Sequence, residues 1–86
     1  MNDMKQALIQ FIQQFLLERG VVVEDADIAD YDFVAAGSLD SFEILSLIMN
    51  LETEYGISVS PELLIDSDNA KVGNLATALM KLNDSN

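Results

Sequence analysis

The chain has 86 residues, half of them apolar, and a formal net charge of −11 at pH 7. That composition supports one folded domain with a modest core and excludes a disordered tail. It contains no Cys and no His, which excludes disulfides, thiolate or imidazole zinc sites, a cysteine nucleophile and a Ser-His-Asp triad.

Over residues 4–19, Met4, Ala7, Leu8, Phe11, Ile12 and Phe15 share one side of a 3.6-residue wheel. Lys5, Gln6, Gln10, Gln13, Gln14 and Glu18 lie outside that stripe. The spacing predicts a first amphipathic helix, closed by Gly20 as a left-handed cap. The glutamines interrupt what a signal peptide would keep continuous, and no stretch is long enough to span a membrane. A soluble cytoplasmic protein is expected. Residues 21–39 form a long acidic connection punctuated by Val23, Ile28, Phe33 and Val34. A loop of that length packs its own side chains and carries function. Val21-Val22-Val23 is not read as a strand, because only Ile57-Ser58-Val59 offers it a partner.

The second helix is the best-marked element. Asp40 is a good N-cap and Glu43 stands three positions on, the spacing of a capping box. Ile44, Leu47, Ile48, Leu51 and Tyr55 share one face, and Gly56 follows as C-cap. Ser60-Pro61-Glu62 supplies an N-cap, a proline at the first helical position and an acid in the first turn, opening a short third helix through Ile65. Asp66-Ser67-Asp68-Asn69 reads as a turn, and Val72, Leu75, Ala76, Leu79 and Leu82 mark a final helix. The expected fold is all-α: a small four-helix bundle over residues 1–86, with three longer helices, a short third one and a long first loop.

Two features of this pattern point to function. Ser41 places one hydroxyl at the start of the second helix, beside the positive end of its dipole, where a phosphate is favoured. Phe42 and Met49 lie on the side of that helix opposite its core stripe, with Leu45 between the two faces. An apolar seam beside Ser41 reads as a docking surface. Between Gly20 and Ala70 there are twelve acids and no Lys or Arg. Such a surface repels nucleic acid and anionic lipid and steers basic protein partners.

Asp40-Ser41-Phe42-Glu43 resembles the Asp-Ser-Leu-Asp/Glu attachment motif of the acyl and peptidyl carrier proteins. The spacing to Glu52-Thr53-Glu54-Tyr55-Gly56 is similar too, as are Ile57-x-Val59-x-Pro61 and Val72-Gly73-Asn74-Leu75. Gly37-x-Leu39-Asp40-Ser41 also looks like the D-alanyl carrier proteins. Phe42 departs from the usual Leu or Met, and Ser46 and Thr53 stand where fatty-acid carriers often place acids. The resemblance implies a monomeric carrier that is not an enzyme, with 4'-phosphopantetheine from coenzyme A attached to Ser41. A phosphopantetheinyl transferase would load it, with Asp40 capping the helix and helping recognition by that enzyme. An acyl- or aminoacyl-activating ligase or synthase would charge the thiol as a thioester, and downstream acyl-transfer enzymes would receive the cargo. Glu43 and Glu52 would meet basic residues on these partners, and Phe42 and Met49 would fill apolar pockets.

Ser38-Leu39-Asp40 copies the Ser-Leu-Asp of the motif three residues early. Choosing Ser38 would put Gly37 in place of the preceding acid and leave Asp40 without its capping role. Asp25-x-Asp27 and Asp66-x-Asp68 hint at calcium loops, but their sixth positions are Asp30 and Lys71 and their twelfth Ala36 and Thr77. An EF-hand needs Gly and Glu there, so no metal site is expected. A serine hydrolase lacks its base. The competing reading is an unmodified acidic helical adaptor of the same fold, with Ser41 only a residue of the helix start.

Overall fold

The computed structural model describes residues 3–60, 63 and 67–85. Among them three α-helices are present: α1 (Asp3–Glu18), α2 (Ser41–Tyr55) and α3 (Val72–Ser85). Short 3-10 turns at Ile28–Asp30 and Ser67–Ala70 interrupt the connections. The short third helix expected from Ser60 to Ile65, opened by Pro61 and Glu62, falls largely outside the described residues. Within that segment Leu63 is half-buried against the core, and its carbonyl accepts a hydrogen bond from Asn69 Nδ2 at 2.7 Å. No strand forms among the described residues, and Val21-Val22-Val23 runs as irregular chain.

All three helices bury one stripe in a shared core. Leu8, Ile12 and Leu16 of α1 meet Leu47 and Leu51 of α2 and Val72, Leu75 and Leu79 of α3. The α2 and α3 faces follow the predicted periodicity, with Ile44, Tyr55 and Leu82 half-buried at their margins. On α1 the face is rotated from the predicted one: Ile9 and Leu16 are buried while Ala7 is exposed. Adjacent apolar residues at 7–9 and 15–17 allow two neighbouring stripes, and the fold takes the one with bulkier side chains. Phe11 meets Tyr55 edge-on, with ring centroids 6.0 Å apart. Burial, and secondarily the charge of Glu54, pushes the Tyr55 hydroxyl above its ordinary pKa.

The long connection is fastened at several points. Gln13 Nε2 donates to the Val23 carbonyl at 2.8 Å and to Asp25 Oδ1 at 2.9 Å, so one residue of the polar face of α1 holds the start of the loop. Ile28 and Phe33 plug into the core, Phe33 completely, whereas Val34 is half exposed. Val72 N–H donates to the Tyr31 carbonyl at 3.0 Å and Phe33 N–H to the Ala70 carbonyl at 3.3 Å. These bonds form an antiparallel bridge, Asp32 to Lys71, that ties the loop to the entrance of α3.

Close approach of α3 to the 3-10 turn requires Gly73. A Cβ there would lie 2.9 Å from the Ala29 carbonyl oxygen and 3.3 Å from Ala29 Cβ. Because one of those atoms is backbone, the turn itself would have to move. Gly73→Ala is therefore expected to destabilise the domain by about 1–3 kcal/mol through overpacking. A thermal melt checks this, with a fall of at least about 4 °C anticipated.

Candidate functional site

A single turn delivers the chain to Ser41. Asp32 Oδ1 accepts from Val34 N–H at 3.1 Å and Ala35 N–H at 2.8 Å, capping the front of the turn. Gly37, at φ 67°, closes the back, where Gly37 N–H bonds the Val34 carbonyl and Ser38 N–H the Phe33 carbonyl. That paired pattern is the one that ends helices at a left-handed residue, which only Gly adopts without penalty. Leu39 then buries its side chain, and the chain enters α2.

The start of α2 carries the predicted capping box in full. Asp40 Oδ1 accepts from Glu43 N–H at 2.8 Å, and Glu43 Oε1 accepts from Asp40 N–H at 3.1 Å. Satisfying two otherwise orphaned donors fixes where the helix begins. It also makes Ser41 the first residue of α2, exposed, with its hydroxyl in no hydrogen bond among the described residues. Ser38 is placed differently. It is half-buried, and its Oγ is hydrogen-bonded to the Tyr31 hydroxyl.

The apolar seam is open to solvent. Phe42 is 79% exposed, Met49 64% and Leu45 52%, so the long connection does not fold over them. The two predicted recognition acids are less free than the sequence suggested. Besides its cap bond, Glu43 places Oε2 at 3.3 Å from Arg19 Nε. Glu52 is half-buried, and its Oε2 accepts from Val59 N–H at 2.7 Å. The chain turns back after Gly56, in its left-handed cap, and buries Ile57 and Val59. The Val59 N–H drawn in with that turn is met by Glu52. Both acids thus hold the fold: the cap bond of Glu43 follows from its spacing to Asp40, whereas its contact with Arg19 and the bond from Val59 to Glu52 do not.

Arg19 is the residue that sequence reasoning missed. The available signal was its position, as the last base before the acidic stretch. An open groove of about 410 Å³ on the outer side of α1, lined by Gln10, Gln14, Leu17 and Val22 among others, includes none of the predicted site residues. No helix of the described residues is long and apolar enough to cross a membrane, and no cluster of three acidic side chains in them is arranged to hold a metal ion.

Comparison with known families finds one described as the phosphopantetheine attachment site, whose model matches residues 10–79. No curated protein and no solved structure matches the chain. The matched span runs from the middle of α1 to the buried Leu79 of α3 and contains both candidate serines.

Proposed function

The chain belongs to the phosphopantetheine attachment-site family, whose members carry the group rather than catalyse a reaction, and from that premise we propose that Ser41 is the residue modified. The carrying observation is the contrast between two serines. Ser41 offers an exposed, unbonded hydroxyl at a helix start fixed by Asp40, whereas the Ser38 hydroxyl is engaged with Tyr31. The residues present fit the group: a covalent phosphodiester needs a reachable hydroxyl, and nothing must be displaced to reach Ser41.

In the attachment step, a bond forms between Ser41 Oγ and the phosphorus that bears the pantetheine of coenzyme A. The bond from that phosphorus to the adenosine bisphosphate breaks, its electron pair leaves with the nucleotide, and the hydroxyl proton passes to a base on the transferase. Asp40 holds the helix start in register for that enzyme. The group supplies a thiol on a flexible arm, which takes an acyl or aminoacyl cargo as a thioester in the cytoplasm. A ligase or synthase loads the arm, and acyl-transfer enzymes unload it. Phe42 and Met49 form the apolar part of the docking face, flanked by Glu43 and Glu52, and the acidic surface draws basic partner faces toward it.

Incubation with coenzyme A, magnesium and a broad-specificity phosphopantetheinyl transferase tests this reading by intact mass. A gain of one phosphopantetheinyl group supports the carrier. An unchanged mass would favour the unmodified adaptor, with the seam alone as its working surface.

A further inference from the structure

Arg19 is carried by the fold from the end of α1 to the start of α2. Its guanidinium carbon lies 3.5 Å from the centre of the Phe15 ring, and Nη1 donates to the Phe15 carbonyl at 3.3 Å. Nε lies 3.3 Å from Glu43 Oε2, while the other oxygen of that carboxylate accepts from Asp40 N–H at 3.1 Å. One carboxylate therefore spans the distance between the guanidinium and the residue immediately ahead of Ser41. A guanidinium is a rigid fork of five donors. The contacts among the described residues engage Nε and Nη1, leaving both hydrogens of Nη2 for a further acceptor. Stacking and two polar contacts hold the group in place beforehand, so little side-chain entropy remains to be lost when an acceptor arrives.

Resting on the reading of Ser41 as the attachment residue, we propose that Arg19 is the counter-charge of the site. It is a positioning residue whose Nη2 takes an oxygen of the phosphodiester on Ser41 while Nε keeps Glu43 in the cap. Modification adds a negative charge to a turn that already holds Asp40 and Glu43, and the next base along the sequence is Lys71. Three anions in one turn repel each other, and Arg19 is the cation that the structure places against one of them, Glu43.

The test compares melting temperatures of unmodified and modified protein, wild type and Arg19→Gln, at low and high salt. Intact mass is read first on every sample. The substitution should lower the melting temperature of the modified form by about 2–6 °C more than that of the unmodified form at low ionic strength. High salt should shrink this difference, and Arg19→Lys should restore part of it, because a point charge replaces a fork. Equal shifts in both forms mean a purely structural residue and overturn the proposal alone. A wild-type chain that gains no mass overturns the Ser41 reading as well. Should Arg19→Gln not fold, the wild-type protein still decides: guanidinium NMR signals of Arg19 that do not move on modification reject the contact.

Discussion

Ser41→Ala should abolish the mass gain from phosphopantetheine, whereas Ser38→Ala should keep it. The two serines are three residues apart, and both stand in a Ser-x-x or Asp-Ser context that could pass for a motif. What separates them is the capping box. Asp40 and Glu43 satisfy each other's backbone donors, and that reciprocity puts Ser41 on the first helical position with its hydroxyl in solvent. Removing an exposed, unbonded hydroxyl leaves the fold as it was, so the Ser41 variant should melt within about 0.5 kcal/mol of the wild type. Ser38→Ala loses its bond to Tyr31, and should be less stable by about 0.5–1.5 kcal/mol while remaining fully modifiable. Peptide mapping after treatment with transferase and coenzyme A checks both. Modification that survives in the Ser41 variant would move the attachment residue elsewhere.

The second large effect separates two phenylalanines. Phe33→Ala should cost about 3–5 kcal/mol, a large part of the ~5–15 kcal/mol that holds a small domain together. Phe33 is completely buried although it lies in the connection between α1 and α2. Phe33 and nearby Tyr31 exchange backbone bonds with Ala70 and Val72, so the cavity left behind cannot collapse freely. Phe42→Ala, at 79% exposure, should leave the melting temperature nearly unchanged and instead impair transfer to partner enzymes. Melts and loading rates measured side by side on the two variants check this. Equal loss of stability in both would mean that Phe42 is covered and that the seam is not a docking face.

Local chemistry was legible in the sequence, and so was the capped helix start that presents Ser41. Asp40, Glu43 and Gly56 mark the ends of α2 because a cap needs only neighbours within one turn. The buried faces of α2 and α3 follow from periodicity alone. What stayed hidden joins residues far apart in the chain. Glu52 bonding Val59, Arg19 meeting Glu43 and Gly73 admitting Ala29 are all consequences of how segments return on one another. The rotation of the α1 face has a different cause. Runs of adjacent apolar residues fit two stripes, and only packing against α2 and α3 selects one. The single turn at Asp32 escaped because Asp-x-Asp and Gly spacing in an acidic loop resembles solvated chain until its bonds are seen.

The bridge from Asp32 to Lys71 has a consequence for biosynthesis. A chain made from its N-terminus exposes Ser41 well before Ala70 and Val72 exist. Until they do, the Tyr31 carbonyl and the Phe33 N–H have no partners, and the loop ahead of Ser41 has no fixed course. Ser41 thus takes up its presented position only once residues 70–72 have left the ribosome, since small domains fold as units. Incomplete translation products would carry the serine without its setting, and a loading enzyme that reads the setting would pass them over.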